Sequence, residues 1–222
     1  MSYRDLTKHT PYLYYFCTIQ NISSILEFGI LSRNKAIELG VFKEDNDWSN
    51  RQIQLNRKNT SIVLSSGKES SVHDLVCTFF SPYNTTIYKA QEILDIKVGE
   101  YSESSLVIAI NIKKLLTNRD KAFAFSDRNV GANVENVNYY NSLGDIDKLD
   151  WAVINQKYKK FDNYYDSAFR EWRDKKSSEF LIENIVEPKY FSQLLCISEE
   201  TKAFLQKNTQ ISVEVIKDLA LY

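Results

Sequence analysis

The stretch SLVIAINI (residues 105–112) is the clearest strand of this 222-residue chain. It is rich in β-branched and aliphatic residues, which favour a pleated, half-buried backbone. Outward from it, similar runs predict strands on both sides: residues 12–17, 72–80, 179–183, 192–197 and 211–215. Short helices are predicted among them: residues 21–28, 113–117, 147–156 and 199–207. Because these elements follow no βαβ rhythm, we expect an α+β fold in a single domain over residues 1–222.

Two long regions lack a clear period. Residues 40–70 are polar and irregular, whereas residues 119–145 hold two glycines and five asparagines and resemble a long loop. Loops of that length are uncommon in compact domains unless they are functional. The second region is therefore a candidate for binding or catalysis.

The charge of the chain is balanced overall and uneven locally. The net charge of −1 gives no general sign of nucleic-acid binding. Residues 113–128, however, hold five basic against two acidic residues, and residues 156–176 hold seven against four. Aromatic residues interleave this charge in 158–172, which suits either the stacking of single-stranded bases or the packing of a helix on the core.

Several enzyme classes find no support. The chain has no glycine-rich dinucleotide or phosphate loop, no zinc-protease motif and no nucleophile elbow. Its three cysteines are far apart and odd in number, which favours buried thiols in a reducing, cytoplasmic setting. With two histidines we expect no metal site. No apolar run reaches membrane-spanning length, so no membrane association is expected.

One acidic residue has an unusual position. In DKKSSEFLIEN (residues 174–184), Glu179 opens an apolar strand, where acids are depleted. It is either an exposed surface carboxylate or a catalytic group at the mouth of a cleft. Two arginines in the polar stretch 45–60, Arg51 and Arg57, are either surface residues or clamps for a diphosphate.

Five segments, in the same order, resemble the DarT family of toxins, which use NAD to ADP-ribosylate bases of single-stranded DNA. They are YYFCTIQNISSILEFGILSRN (14–34), IQLNRKN (53–59), VHDLVCTFFSPYNTTIY (72–88), AFSDRN (124–129) and DKKSSEFLI (174–182). No segment is specific alone, but the ordered set is. The resemblance implies an ADP-ribosyltransferase-like fold, a central split mixed or antiparallel sheet with short helices.

The resemblance also implies roles for individual residues. The family's catalytic glutamate falls on Glu179 and its NAD-contacting arginine on Arg57, with NAD as co-substrate and no metal. The other implied NAD contacts are Tyr15 and Cys17, which replace the family's His and Thr, and Asn21, Gly29 and Leu31, which keep its residues. Beside these, the basic and aromatic stretch before Glu179 suggests phosphate contacts for the acceptor strand at Arg128, Arg170, Lys175 and Lys176.

The implied activity is ADP-ribosyl transfer from NAD to thymidine or guanosine in single-stranded DNA. The protein would act as a toxin of a toxin–antitoxin or phage-defence system, checked by an antitoxin with ADP-ribosylglycohydrolase activity. The residues leave alternatives open. The acceptor is RNA or protein in one of them, and in another the chain is a nucleic-acid-binding or partner-binding module that has lost its activity.

Overall fold

The strand predicted first lies near the middle of a mixed sheet of eight strands. The computed structural model describes residues 3–42, 51–84, 105–117, 121–131, 136–157 and 166–216. The strands are β1 (Tyr12–Thr18), β2 (Ile30–Leu31), β3 (Ser61–Val63), β4 (Glu69–Ser71), β5 (Leu75–Phe79), β6 (Ser105–Asn111), β7 (Phe123–Ser126), β8 (Tyr139–Tyr140), β9 (Glu179–Glu183), β10 (Ile185–Val186), β11 (Phe191–Cys196) and β12 (Ser212–Val215).

The large sheet has the order β12-β11-β6-β1-β5-β9-β7-β8, and β2 with β10 and β3 with β4 form two separate ribbons. Only the β11–β12 pair is parallel among the described strands. The helices are short: α1 (Tyr3–Thr7), α2 (Ile22–Phe28), α3 (Arg33–Glu38), α4 (Arg51–Asn59), α5 (Ile112–Thr117), α6 (Trp151–Ile154), α7 (Ser167–Lys176) and α8 (Glu199–Asn208). In the described part of the chain, no helix has the length and hydropathy needed to cross a bilayer.

Most strands with an apolar pattern are confirmed within a residue or two, and β9 matches its prediction at both ends. The strand predicted at 72–80 is shorter, because Val72–Asp74 form a 3-10 turn and β5 begins at Leu75. The predicted loop at 119–145 is wrong in part, because it contains β7 and β8. Region 40–70 likewise contains α4 and the β3–β4 ribbon. The helix predicted at 147–156 shrinks to α6, because Asp150 leaves the helical conformation and caps α6 with a 3.2 Å bond from the Val153 N–H.

Hydrophobic residues pack on both faces of the sheet, and β9 contributes side chains to both clusters. Phe180 and Ile182 point into the main core, with Leu13 and Ile108. Leu181 points to the opposite face, into a smaller cluster. Side chains alternate along a strand, so Glu179 shares the face of that smaller cluster.

Candidate active site

Arg57 and Glu179 form an ion pair at the start of β9. Arg57 is in the last turn of α4, and its Nη2 donates to Glu179 Oε1 at 2.8 Å and Oε2 at 3.1 Å. The Glu179 side chain has 0% of its surface exposed and that of Arg57 has 17%. A carboxylate this deeply buried is held in charged form only by such a partner.

Residues 126–131, which we call the bridging segment, join the two members of the pair. The Val130 N–H donates to Glu179 Oε1 at 3.2 Å, and the Val130 carbonyl accepts from Arg57 Nε at 2.8 Å. At the other end of the segment, Ser126 Oγ accepts from the Glu179 backbone N–H at 3.3 Å. The pair is therefore fixed by a backbone turn as well as by its own charges.

Gly131 allows this close approach. Its φ is +99°, in the left-handed region that favours glycine. A Cβ at this position would lie 2.9 Å from Arg57 Cγ and 3.1 Å from the Ile53 carbonyl oxygen. Any larger residue would push the bridging segment away from α4.

The electrostatics follow from burial and proximity. Burial raises the pKa of the Glu179 carboxyl, while Arg57, the Val130 N–H and the Cys77 thiol oppose that rise. Burial works to lower the pKa of Arg57, but Glu179 outweighs it and the pKa is raised. Burial also raises the pKa of Cys77 to about 12, so this thiol stays protonated beside the carboxylate. A carboxylate with a raised pKa is a stronger base than one in water.

The expectation that Glu179 is exposed was wrong. Sequence reasoning placed it at the mouth of a cleft, whereas β5 and β7 flank it and the bridging segment covers it. The two candidate arginines of the polar stretch also differ in position. Arg51 is exposed at the start of α4, and Arg57, nearly two turns later, faces Glu179.

The other proposed NAD contacts are not beside this pair. Tyr15 and Cys17 pack against the main core, on the face opposite Glu179, and burial raises the pKa of Cys17 to about 12. Gly29 ends α2, and Leu31 pairs with Ile185 in the β2–β10 ribbon. Ile185 follows Glu179 by six residues, or roughly 20 Å of extended strand.

Asn21 precedes α2 as predicted, at its N-cap position, although its side chain makes no capping bond. Together with Gly29 and Leu31 it lies toward the far end of β9. Contacts between these residues and NAD therefore remain predictions.

An open groove of about 740 Å³ lies beside the bridging segment. Its lining includes Arg128 and residues 136–138 on one side, and Ser167, Arg170, Glu171 and Asp174 of α7 on the other. Arg128 makes a forked pair with Glu171 at 2.6 and 2.9 Å. Two of the four predicted phosphate contacts thus line one groove, next to the buried pair.

The two lysines predicted with them differ in position. Lys175 is partly exposed and pairs with Asp150 at 3.2 Å and Glu171 at 3.4 Å. Lys176 is 1% exposed, and its Nζ donates to the carbonyls of Ile154 and Gln156. Burial lowers the pKa of Lys176 to about 8. In this structure Lys176 is not available to a phosphate, so the prediction fails for this residue.

Sequence reasoning missed the parts of the site that act through the backbone or through burial. Val130 is apolar and Ser126 small, so neither residue type indicates a contact with a carboxylate. Gly131 was visible as a glycine in a long polar region, which was the one available signal. Cys77 was expected only as a buried thiol, and its thiol contacts Glu179.

The arrangement suits chemistry that needs a buried carboxylate held in a fixed position. Among the described residues, no cluster of three or more His, Cys, Asp or Glu residues is arranged to hold a metal ion. The buried Glu179 can accept a proton, or a hydrogen bond from a hydroxyl group, and Arg57 holds it in place. The groove beside the bridging segment is lined by both arginines and carboxylates, and Arg128 is already paired with Glu171 there.

Comparison with known proteins agrees with this geometry. A family model described as "ssDNA thymidine ADP-ribosyltransferase, DarT" matches residues 14–219. A DNA ADP-ribosyl transferase of Escherichia coli O127:H6 (strain E2348/69 / EPEC) is 23% identical over 199 residues, which cover 87% of this chain and 85% of the relative.

Solved structures are similar at comparable identity. DarT of Thermus sp. 2.9 in complex with ADP-ribosylated ssDNA superposes with a TM-score of 0.76 at 19% identity, covering 94% of this chain and 95% of that one. DarTG of Thermosipho africanus in complex with ADP-ribose gives 0.70 at 20% identity, covering 95% of this chain and 51% of that one. The fold is therefore that of the DarT ADP-ribosyltransferases, as expected from the sequence.

Proposed function

Since this chain belongs to the DarT family of single-stranded DNA thymidine ADP-ribosyltransferases, we propose that Glu179 and Arg57 are the catalytic pair with which it transfers ADP-ribose from NAD to thymidine. The observation that carries this assignment is the buried contact between their side chains. A carboxylate that is fully buried and fixed by an arginine is expensive for a fold to maintain, which favours a functional reason for it.

Glu179 is proposed to act twice in the reaction. When bound, NAD supplies a glycosidic bond whose cleavage leaves positive charge on the ribose. The carboxylate holds the ribose 2′-hydroxyl and stabilises that charge, as carboxylates do in glycoside hydrolysis. It also accepts the ring proton of thymine, a weak nucleophile that needs a base.

Arg57 is proposed to hold charge at the reacting centre rather than to clamp the diphosphate. Its Nε and Nη2 already donate to Val130 and Glu179. Those bonds orient the carboxylate and keep it ionised despite its burial. Arg51, exposed on the same helix, has no such role and is the matched control.

The acceptor strand is proposed to lie in the groove beside the bridging segment. Arg128 and Arg170 line that groove, and Lys175 lies on the same helix as Arg170. The structurally similar Thermus protein was solved with ADP-ribosylated ssDNA, which supports a single DNA strand as the ligand. The buried Lys176 is not part of this proposed surface.

The test is incubation with labelled NAD and three acceptors: single-stranded DNA, RNA and bulk protein. We expect label on thymidine-containing DNA, loss of labelling in Glu179→Gln and Arg57→Lys, and retention in Arg51→Lys. Labelling of RNA or protein alone would move the function to another acceptor. Absence of labelling on all three would favour a binding module without activity.

We also propose that the chain acts as a toxin with an antitoxin partner. The Thermosipho DarTG chain is matched over only 51% of its length, so it carries a further part of similar size beyond the matched region. A separate protein with ADP-ribosylglycohydrolase activity is the expected counterpart. Induced expression should arrest bacterial growth for the wild type but not for Glu179→Gln, and unarrested growth of both strains would contradict the proposal.

A further inference from the structure

The phenol of Tyr139 ends in a buried hydroxyl that nothing in the described structure explains. The ring is partly exposed, but its Oη is buried and has no hydrogen-bond partner among the described residues. Native proteins rarely leave a buried polar atom without a partner, and an absent ligand is one of the standard explanations. Two neighbours share this property: Arg128 Nε and Asn129 Oδ1, both on the bridging segment.

The position of Tyr139 points toward Glu179. Tyr139 and Ser126 are cross-strand partners on β8 and β7, and Ser126 in turn binds the Glu179 backbone N–H. Cross-strand partners share a face of the sheet. Tyr139, Ser126 and Glu179 therefore form one row across three strands. The next residue, Tyr140, points to the opposite face, where its ring stacks on Phe125 at 5.3 Å.

The hydroxyl is a hydrogen-bond donor under physiological conditions. Burial and, to a smaller extent, the negative charge of Glu179 raise the pKa of Tyr139 to about 12, while Arg57 opposes the rise. The phenol therefore keeps its proton. A buried donor beside a carboxylate is suited to a ligand atom that carries partial negative charge.

The flank on which Tyr139 lies is the one that carries the groove proposed for the acceptor. β7 and β8 are on one side of β9, and β5 and β1 are on the other. Residues 136–138, which line the groove, lead directly into Tyr139. We propose that Tyr139 Oη donates a hydrogen bond to a carbonyl oxygen of the acceptor thymine, which makes it a further catalytic and specificity-determining residue. This inference rests on the proposed transfer to thymidine.

The bond would act during transfer. The N3 nitrogen of thymine forms a bond to C1′ of the ribose as the bond from C1′ to nicotinamide breaks, and the electron pair of that bond leaves with nicotinamide. The N3 proton passes to the Glu179 carboxylate. As it leaves, negative charge spreads from N3 onto the two neighbouring carbonyl oxygens. A donor fixed beside one of them stabilises that charge and favours a base with a carbonyl next to its ring N–H.

The test compares Tyr139→Phe with the matched control Tyr140→Phe. Each change removes one hydroxyl and keeps the ring. We expect Tyr139→Phe to lower kcat for thymidine in a single-stranded oligonucleotide by about 100-fold, the effect of removing one preorganised donor. NAD affinity, measured by calorimetry, should be unchanged. Tyr140→Phe should leave both quantities unchanged.

A second measurement separates the bond from a structural role. Oligonucleotides with 2-thiothymidine or 4-thiothymidine at the target position replace one carbonyl oxygen by sulfur, a weaker acceptor. The wild type should discriminate between one of these and thymidine, and Tyr139→Phe should lose that discrimination. Equal discrimination by both enzymes would overturn the inference.

Two other outcomes would also overturn it. One is an unchanged kcat in Tyr139→Phe, and the other is a parallel loss of NAD affinity, which would place the hydroxyl on the donor side. A wild type that labels no thymidine DNA would instead refute the proposed function, and with it this inference. The wild-type arm therefore distinguishes failure of the function from failure of the assignment.

Discussion

Arg57 Nη2 donates to both carboxylate oxygens of Glu179 although the two residues are 122 positions apart in the chain. The pair joins α4 to the first residue of β9, and the bridging segment binds both partners. The carboxylate is fully buried and the guanidinium is mostly buried, so each charge depends on the other. The proposed catalytic role and the stability of the fold therefore depend on the same contact.

The first prediction concerns that dependence. Because one buried charge is left without its partner, Glu179→Ala should abolish transfer and also lower the free energy of unfolding by about 3–5 kcal/mol. The double variant Arg57→Ala/Glu179→Ala should lose less stability than the sum of the single variants. Urea unfolding of all four proteins measures this coupling, and strict additivity would contradict it.

The second prediction concerns Gly131. Gly131→Ala should displace Arg57 and reduce transfer, since the new Cβ would meet Arg57 Cγ at 2.9 Å. Gly67→Ala is the matched control, because Gly67 also has a positive φ, +83°, but its Cβ would meet nothing within 4 Å. Both should lose about 1 kcal/mol or more to backbone strain, and only Gly131→Ala should lose activity. Equal activity in the two variants would show that the close approach of Gly131 to Arg57 is not needed for transfer.

The third prediction concerns the groove. If Arg170 contacts a phosphate of the acceptor, Arg170→Ala should weaken oligonucleotide binding and flatten its salt dependence by about 0.7 in log–log slope. Lys207→Ala is the control, because Lys207 is exposed on α8, which packs beside β12 at the other end of the sheet from β8. Fluorescence anisotropy over a salt series gives both slopes. A slope that changes equally in both variants would exclude a specific contact.

The fourth prediction concerns Lys176. Its pKa falls from 10.5 to about 8 on burial, so the folded chain binds this proton less tightly than the unfolded chain does. The resulting penalty on stability is fully present below pH 8 and is relieved as pH rises toward 10.5, by up to about 3 kcal/mol. The stability of the wild type relative to Lys176→Met should therefore increase from pH 7 to 9.

Lys175→Met provides the opposite case. The hydrogen bond that Lys175 donates to Asp150 raises the pKa of Lys175, so its contribution to stability is lost only as pH rises above the ordinary range of a lysine. The difference between the wild type and Lys175→Met should stay flat over the interval in which the Lys176 difference grows. Chemical unfolding at each pH measures both stability differences. A difference between the wild type and Lys176→Met that does not change with pH would contradict the lowered pKa of Lys176.

The sequence predicts the elements whose pattern is local. The continuous apolar runs of β1, β6 and β9 are such a pattern. It misses α4, whose nine residues RQIQLNRKN are mostly polar and are held mainly by contacts to other parts of the chain. It also misses β7, because a four-residue strand within a polar region gains its stability from β9 and β8 on either side.

The burial of Glu179 could not be predicted for a related reason. A lone carboxylate is almost always exposed, and the cost of burying it is offset here by an arginine from a distant helix and by a backbone N–H. Neither partner carries a sequence signal that links it to residue 179. The family resemblance pointed to Glu179, whereas the burial of its side chain is visible only in the structure.

The strand order has a consequence for the synthesis of the protein on the ribosome. β9 lies between β5 and β7, both of which are translated before it, and Glu179 is its first residue. Every nascent chain that ends before residue 179 lacks the carboxylate and leaves the facing edges of β5 and β7 unpaired. No translation product that ends before residue 179 carries the buried pair. The ion pair of Arg57 and Glu179 can therefore form only after most of the polypeptide has been synthesised.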